Sequence, residues 1–177
     1  SEFLKTARTL NTSGNGETIP IHAMPKFNPL NTLNSAGLIT NNINVDMIQI
    51  VQLHGTDKKL YELVAPLVMS PEVLKQNYNY PFRTSEEYEW FVALDNKHVV
   101  GFVPVEHKKY ECVINNYYIK ERNVDTLKLL LEKVLEKQGE ESSLTAVSFV
   151  EDRDVFSELG FLEDKVWTRY VKMKKNR

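Results

Sequence analysis

Two glutamates, Glu106 and Glu111, flank a short charged turn, and two adjacent tyrosines, Tyr117 and Tyr118, follow before Arg122. Carboxylates accept protons, phenols donate them, and a guanidinium pairs with phosphate or carboxylate, so these types suit acid–base chemistry beside an anionic group. Spacing restricts the set. Neighbouring strand residues face opposite sides, so at most one of Tyr117 and Tyr118 easily reaches a given groove, with Asn116 beside it. Each glutamate also has a plainer reading as solvated charge at a strand end. Metal chemistry is not suggested, because four dispersed histidines and the lone Cys112 offer no ligand spacing. His22 reads as a surface or packing residue.

The elements that must position these residues can be read from pattern. Trp90 to Leu94 and His98 to Glu106 are apolar, strand-like runs joined by the tight turn Asp95-Asn96-Lys97. His107 to Lys109 turns the chain into a third strand, Glu111 to Ile119, which completes an antiparallel meander. A helix from about Asp125 to Lys137 follows, with Leu127, Leu130, Leu131, Val134 and Leu135 on one face and Gly139 after its end. Asp125 is the expected cap of that helix. Upstream, Met47 to Leu53 alternates as a strand, and Asp57 caps a helix from Lys58 to Met69 that Pro66 is expected to kink or end. Ser70-Pro71 starts a second helix, and Thr84 to Glu87 resembles another helix start. The aromatic run Tyr78 to Phe82 is either a binding platform or, more plainly, the seal of a core edge. Downstream, Leu144 to Val150 is a buried-type strand. A short helix through Glu158 and a final strand from Lys165 to Lys174 close the order.

Residues 1–44 differ in character from the rest. Asn, Thr, Ser and Gly dominate, and Pro20, Pro25 and Pro29 interrupt any period, which implies an extended arm or linker with one short strand at Thr18 to His22. Residues 45–177 are expected to form the compact domain. The chain of 177 residues is 42% hydrophobic and 26% charged, an ordinary globular balance, and its net charge of -2 gives no global pull toward nucleic acid or membrane. No apolar run approaches the roughly 18 residues of a membrane span, and one cysteine suits a reducing compartment, so a cytoplasmic protein is expected.

The element order resembles the GNAT superfamily of acyl-CoA-dependent N-acyltransferases over about Val45 to Lys175. Two motifs carry the resemblance. One is the strand pattern of Ile114, Tyr117, Tyr118 and Ile119; the other is the run Val155-Phe156-Ser157-Glu158-Leu159-Gly160-Phe161, ending in L-G-F. The closing YVKMKK is also typical. The implied fold is α+β, three layers deep, with a mixed, mainly antiparallel central sheet flanked by helices. The implied activity is transfer of an acyl group from acetyl-CoA or another acyl-CoA to a small-molecule or protein amine. In that frame Glu106 or Glu111 would be the base and Tyr118 the acid. The cofactor would meet Tyr117, Ile119, Arg122 and Thr126, the last through the free N–H groups that open the helix.

The chain departs from the family pattern at two places, the turn before the helix and the position of Phe156. The family turn resembles R/Q-x-x-G-x-G/A, whose glycines let the backbone approach two phosphates, whereas Lys120-Glu121-Arg122-Asn123-Val124 has none and is shorter. Glu121 and Asp125 add negative charge there. The tyrosine that many relatives use to protonate the departing thiolate is replaced by Phe156. These departures leave a second reading open, a noncatalytic GNAT-fold scaffold whose N-terminal arm docks a protein partner. A third, a DNA-modifying enzyme of the Mom type, rests on the basic C-terminal residues. An open cleft between the third meander strand and Leu144 to Val150 would favour transfer, and a filled one the scaffold.

Overall fold

Apolar residues on both faces of the central strands require cover on both sides, and the helices supply it. The computed structural model describes residues 45–139 and 142–176, so the arm and its Thr18 to His22 strand lie outside the described residues. The elements run β1 (Ile48–His54), α1 (Lys58–Val68), α2 (Pro71–Gln76), β2 (Tyr88–Asp95), β3 (His98–His107), β4 (Glu111–Ile114) and β5 (Tyr118–Ile119). After these come α3 (Val124–Gln138), β6 (Ser143–Phe149), α4 (Arg153–Glu158), β7 (Leu162–Val166) and β8 (Tyr170–Lys175). The strands form one mixed sheet in the order β1-β2-β3-β4-β6-β8-β7, with β5 also paired to β3. Only the β4–β6 contact is parallel among the described strands.

Alternation sorts β2 into two cores. Phe91 and Ala93 join Leu127, Leu130, Leu131 and Val134 of α3 with Val155 and Phe156 of α4. Trp90 and Val92 join Leu60, Val64 and Val68 of α1, Val73 of α2, and Phe102. Full burial of each such aliphatic side chain contributes about 1.5–3 kcal/mol before chain entropy is charged against it. Among the described residues no helix is long and apolar enough to cross a membrane.

Several sequence expectations change at this level. Glu111 to Ile119 is not one strand, because Asn116 adopts φ 56 and turns the chain between β4 and β5. Lys165 to Lys174 is the hairpin β7–β8, closed where the Trp167 N–H donates to the Tyr170 carbonyl at 2.8 Å. Thr84 to Glu87 forms a turn, with the Tyr88 N–H donating to the Ser85 carbonyl at 3.2 Å. Pro66 sits inside α1 without ending it, and the helix closes when the Met69 N–H reaches the Ala65 carbonyl at 3.3 Å. Asn123, not Asp125, caps α3: its Oδ1 accepts from the Thr126 N–H at 2.9 Å.

Candidate functional site

The site lies where the sheet comes apart. β4 pairs with β6 from Glu111↔Ser143 to Ile114↔Ala146. Beyond Ile114 the two backbones part, because β5 stays on β3 (Gly101↔Ile119, Phe102↔Tyr118) while β6 follows β8 to Phe149↔Tyr170. Gly101 permits this closeness, since a Cβ there would stand 3.0 Å from the Tyr118 carbonyl oxygen.

Side chains occupy the resulting gap. The Tyr117 hydroxyl donates to Asp152 Oδ2 at 2.5 Å and accepts from the Phe149 N–H at 3.1 Å, thereby satisfying a strand-edge donor that β5 leaves unpaired. Arg122 lies over the Phe149 ring at 5.3 Å and pairs with Glu151 at 3.5 Å. What remains among Gln76, Tyr117, Ile119, Arg122, Leu127, Phe149 and Asp152 is a void of ≈ 10 Å³. Burial, then the Asp152 charge and its hydrogen bond, raise the Tyr117 phenol well above its ordinary pKa. Burial also raises the Asp152 carboxyl, against the opposing pull of the Tyr117 hydrogen bond and Arg122.

The turn into α3 holds itself together. Lys120–Arg122 form one 3-10 turn in which Glu121 and Arg122 have φ of 55 and 52, a region that normally favours glycine. Asn123 Oδ1 takes both the Thr126 N–H and, at 3.2 Å, its hydroxyl, and Thr126 is fully buried. Tyr117, Ile119 and Arg122 therefore share the filled gap, while Thr126 is sequestered beneath the cap. At this turn the Thr126 amide is taken by Asn123, Arg122 is paired with Glu151, and Glu121 and Asp125 are exposed beside them.

On the other side of the Asn115–Asn116 turn lies open space. A groove of ≈ 350 Å³ is lined by Tyr80, Arg83, Tyr88, Glu106 and Asn116, among others. A second of ≈ 180 Å³ shares Tyr80, Asn115 and Asn116 with it and adds Val147 and Tyr170. Glu106 faces Tyr88 in register and lies 3.8 Å from Lys108 Nζ. Burial first, and Glu106 second, raise the Tyr88 pKa. Asn77 Nδ2 bridges the Tyr80 carbonyl at 2.9 Å and Asn116 Oδ1 at 3.3 Å. Two buried polar atoms here have no hydrogen-bond partner, Asn77 Oδ1 and the Tyr170 hydroxyl.

The other predicted residues lie elsewhere. Glu111 accepts from Thr145 Oγ1 at 2.7 Å and does not line the Glu106 groove. Tyr118 is buried toward α1 with its ring 5.5 Å from Phe102, and lines a separate groove with Lys120 and Glu121. Phe156 is wholly buried against Phe161. Sequence reading missed Arg83, Tyr88 and Tyr170. Their signal was weak, since each sits in an element that also has a packing explanation, although the alternation of KVWTRYVKMK puts Tyr170 on a different face from Val171.

No family model matches the sequence, and no curated protein matches it. Solved structures do match in shape. Escherichia coli ElaA aligns at 15% identity over 73% of this chain and 100% of its own, with a TM-score of 0.57. An acyl-CoA N-acyltransferase from Pseudomonas aeruginosa aligns at 14% over 72% of this chain and 99% of its own, also at 0.57. The ribosomal-protein-S18-alanine N-acetyltransferase of Escherichia coli aligns at 16% over 72% and 91%, at 0.53. The chain therefore has the GNAT acyltransferase fold.

Proposed function

We propose that the chain is a GNAT-fold N-acyltransferase with an altered donor site, which acylates an amine held in the Glu106 groove. The observation that supports this most is the parting of β5 from β6 beside that groove. A sheet selected for stability alone would zip these strands together, because unpaired buried strand edges are costly. Here the split persists and is filled only by side chains, which can rotate. Glu106 is the base that takes the proton from the attacking amine, and Tyr88 and Lys108 orient its carboxylate. Asn115 and Asn116 present the acceptor to the split.

The filled gap favours a second reading, a GNAT-fold module that holds a partner without transfer. The DNA-modifying alternative has less behind it. Lys172 and Lys174 pair with Asp164 at 3.6 and 3.3 Å, Lys175 donates to the Leu159 carbonyl, and Arg169 lies 4.5 Å over the Tyr78 ring.

The deciding experiment offers S-acetylpantetheine and acetyl-CoA to the full chain with a panel of peptide α-amines, polyamines and amino sugars. Amine-dependent thiol release with an acetylated product is expected, falling by about 10²-fold or more in Glu106→Gln. No release from either thioester with any amine would leave the partner-binding module as the better account.

A further inference from the structure

We infer that the Glu106 groove takes acceptors that carry a carboxylate as well as the amine, namely amino acids and short peptides with a free C-terminus, and that Arg83 is the partner of that carboxylate. The inference rests on the acyltransferase reading for the transfer itself and names the acceptor class for it. Arg83 is its basis. Of the described arginines, Arg122 and Arg153 pair with carboxylates and Arg169 lies over the Tyr78 ring, whereas Arg83 does neither. Its place on the chain is nevertheless fixed from both sides. Phe82 is buried with its ring 5.1 Å from that of Phe102, and the Thr84 hydroxyl is tied to the Gly55 carbonyl and to Trp90 Nε1. The segment thus holds an unpaired guanidinium on the wall of the ≈ 350 Å³ groove. A guanidinium offers a carboxylate two parallel N–H donors, a match that it cannot make with an amide or an amine.

Glu106 is the counterpart. Among the described residues that line this groove, Arg83 and Glu106 alone carry charge, and they do not pair with each other. Tyr88 relates the two. It faces Glu106 across the β2–β3 pairing, and beyond the effect of burial Glu106 raises and Arg83 lowers the pKa of its phenol. The other carboxylate that acts on this phenol, Glu87, is held by the Ser85 hydroxyl at 2.9 Å. Two opposite charges kept apart in one small space fit a zwitterion, with its ammonium at Glu106 and its carboxylate at Arg83. Size points the same way. The adjoining groove, where Val147 and Tyr170 stand, adds only ≈ 180 Å³, room for a side chain or a second residue.

The transfer is consistent with such a ligand. The bound ammonium gives one proton to Glu106, its nitrogen forms the C–N bond to the acyl carbon as the thioester C–S bond breaks, and a second proton leaves with the thiol. The product keeps its carboxylate but has lost the cation that Glu106 held, which favours its release.

Calorimetry and the thiol-release assay on the full chain test this with alanine, γ-aminobutyrate and glycylglycine, each against its own C-terminal amide. For the length that spans the two charges, the acid is expected to bind about fivefold or more tightly than its amide, a charge-assisted contact discounted for the exposure of Arg83. Arg83→Gln is expected to bring that ratio to about one, with thermal unfolding confirming that the variant is folded. Equal binding of acid and amide at all three lengths, or a preference that survives Arg83→Gln, would overturn the inference while leaving acyl transfer intact. Acid-selective binding without thiol release from S-acetylpantetheine or acetyl-CoA would uphold the ligand class and remove the transfer. Failure of every probe to bind at millimolar concentration, with no release, would overturn both.

Discussion

Tyr117 and Asp152 are 35 positions apart in sequence yet meet at 2.5 Å, across the gap that β5 and β6 leave between them. The bond joins the residue just before β5 to the first turn after β6. It makes the closed state a property of side chains rather than of backbone pairing.

The first prediction concerns that carboxyl and pH. Because burial raises the Asp152 pKa in the folded protein, the native state keeps a proton that the unfolded chain, near its ordinary pKa of about 3.9, has already released. Unfolding free energy from this group therefore rises as pH falls from neutrality through the folded pKa toward the unfolded one. At neutral pH the penalty for burying the charge is complete. Asp152→Asn removes the titration, so wild-type stability relative to the variant should be lowest at pH 7 and improve toward about pH 4. Urea denaturation of both proteins at several pH values checks this. A wild type that loses ground on acidification would mean that Tyr117 and Arg122 outweigh burial.

A second prediction separates two caps. Asn123→Ala removes the acceptor of a buried amide and hydroxyl, and should cost about 1 kcal/mol or somewhat more. Asp125→Ala loses only an exposed charge in the first turn of α3, worth about 0.3 kcal/mol. Denaturant midpoints at constant m-value give the comparison, and equal losses would contradict the assignment of the cap.

Much of the fold was legible because it rests on local pattern. The alternation of WFVAL and HVVGFVPVE gives a hairpin, and Leu127, Leu130, Leu131 and Val134 mark a helix face whatever they pack against. The breaks were harder. Nothing in the string INNYYI states that Asn116 takes φ 56, since asparagine tolerates but does not require that region. The division of KVWTRYVKMK likewise depends on a turn with neither glycine nor proline at Thr168-Arg169. For the site, a glycine-free turn was visible as composition, but its consequence was not. That Arg122 faces Glu151 and Tyr117 reaches Asp152 are pairings across about 30 residues, set by the sheet rather than by spacing.

Gly55 supplies the last prediction. It lies in the turn between β1 and α1. The structure imposes a harder constraint, because a Cβ there would lie 2.2 Å from the Ser85 carbonyl oxygen and 2.6 Å from Thr84 Oγ1. The same Thr84 hydroxyl donates to the Gly55 carbonyl at 2.8 Å and accepts from Trp90 Nε1 at 3.0 Å. The close approach therefore ties the α1 entrance to a tryptophan at the centre of one core. Gly55→Ala must push the Thr84–Ser85 segment away and loosen both bonds, with an expected cost of about 1–3 kcal/mol. Gly55→Ala and Gly139→Ala make a controlled pair, since a Cβ at Gly139 meets nothing within 4 Å and strains only a φ of 63. Thermal or urea unfolding should rank Gly55→Ala as the more damaging, with a loss of Trp90 burial visible in its fluorescence. A Gly55→Ala protein as stable as the wild type would show that the 84–85 segment yields without cost.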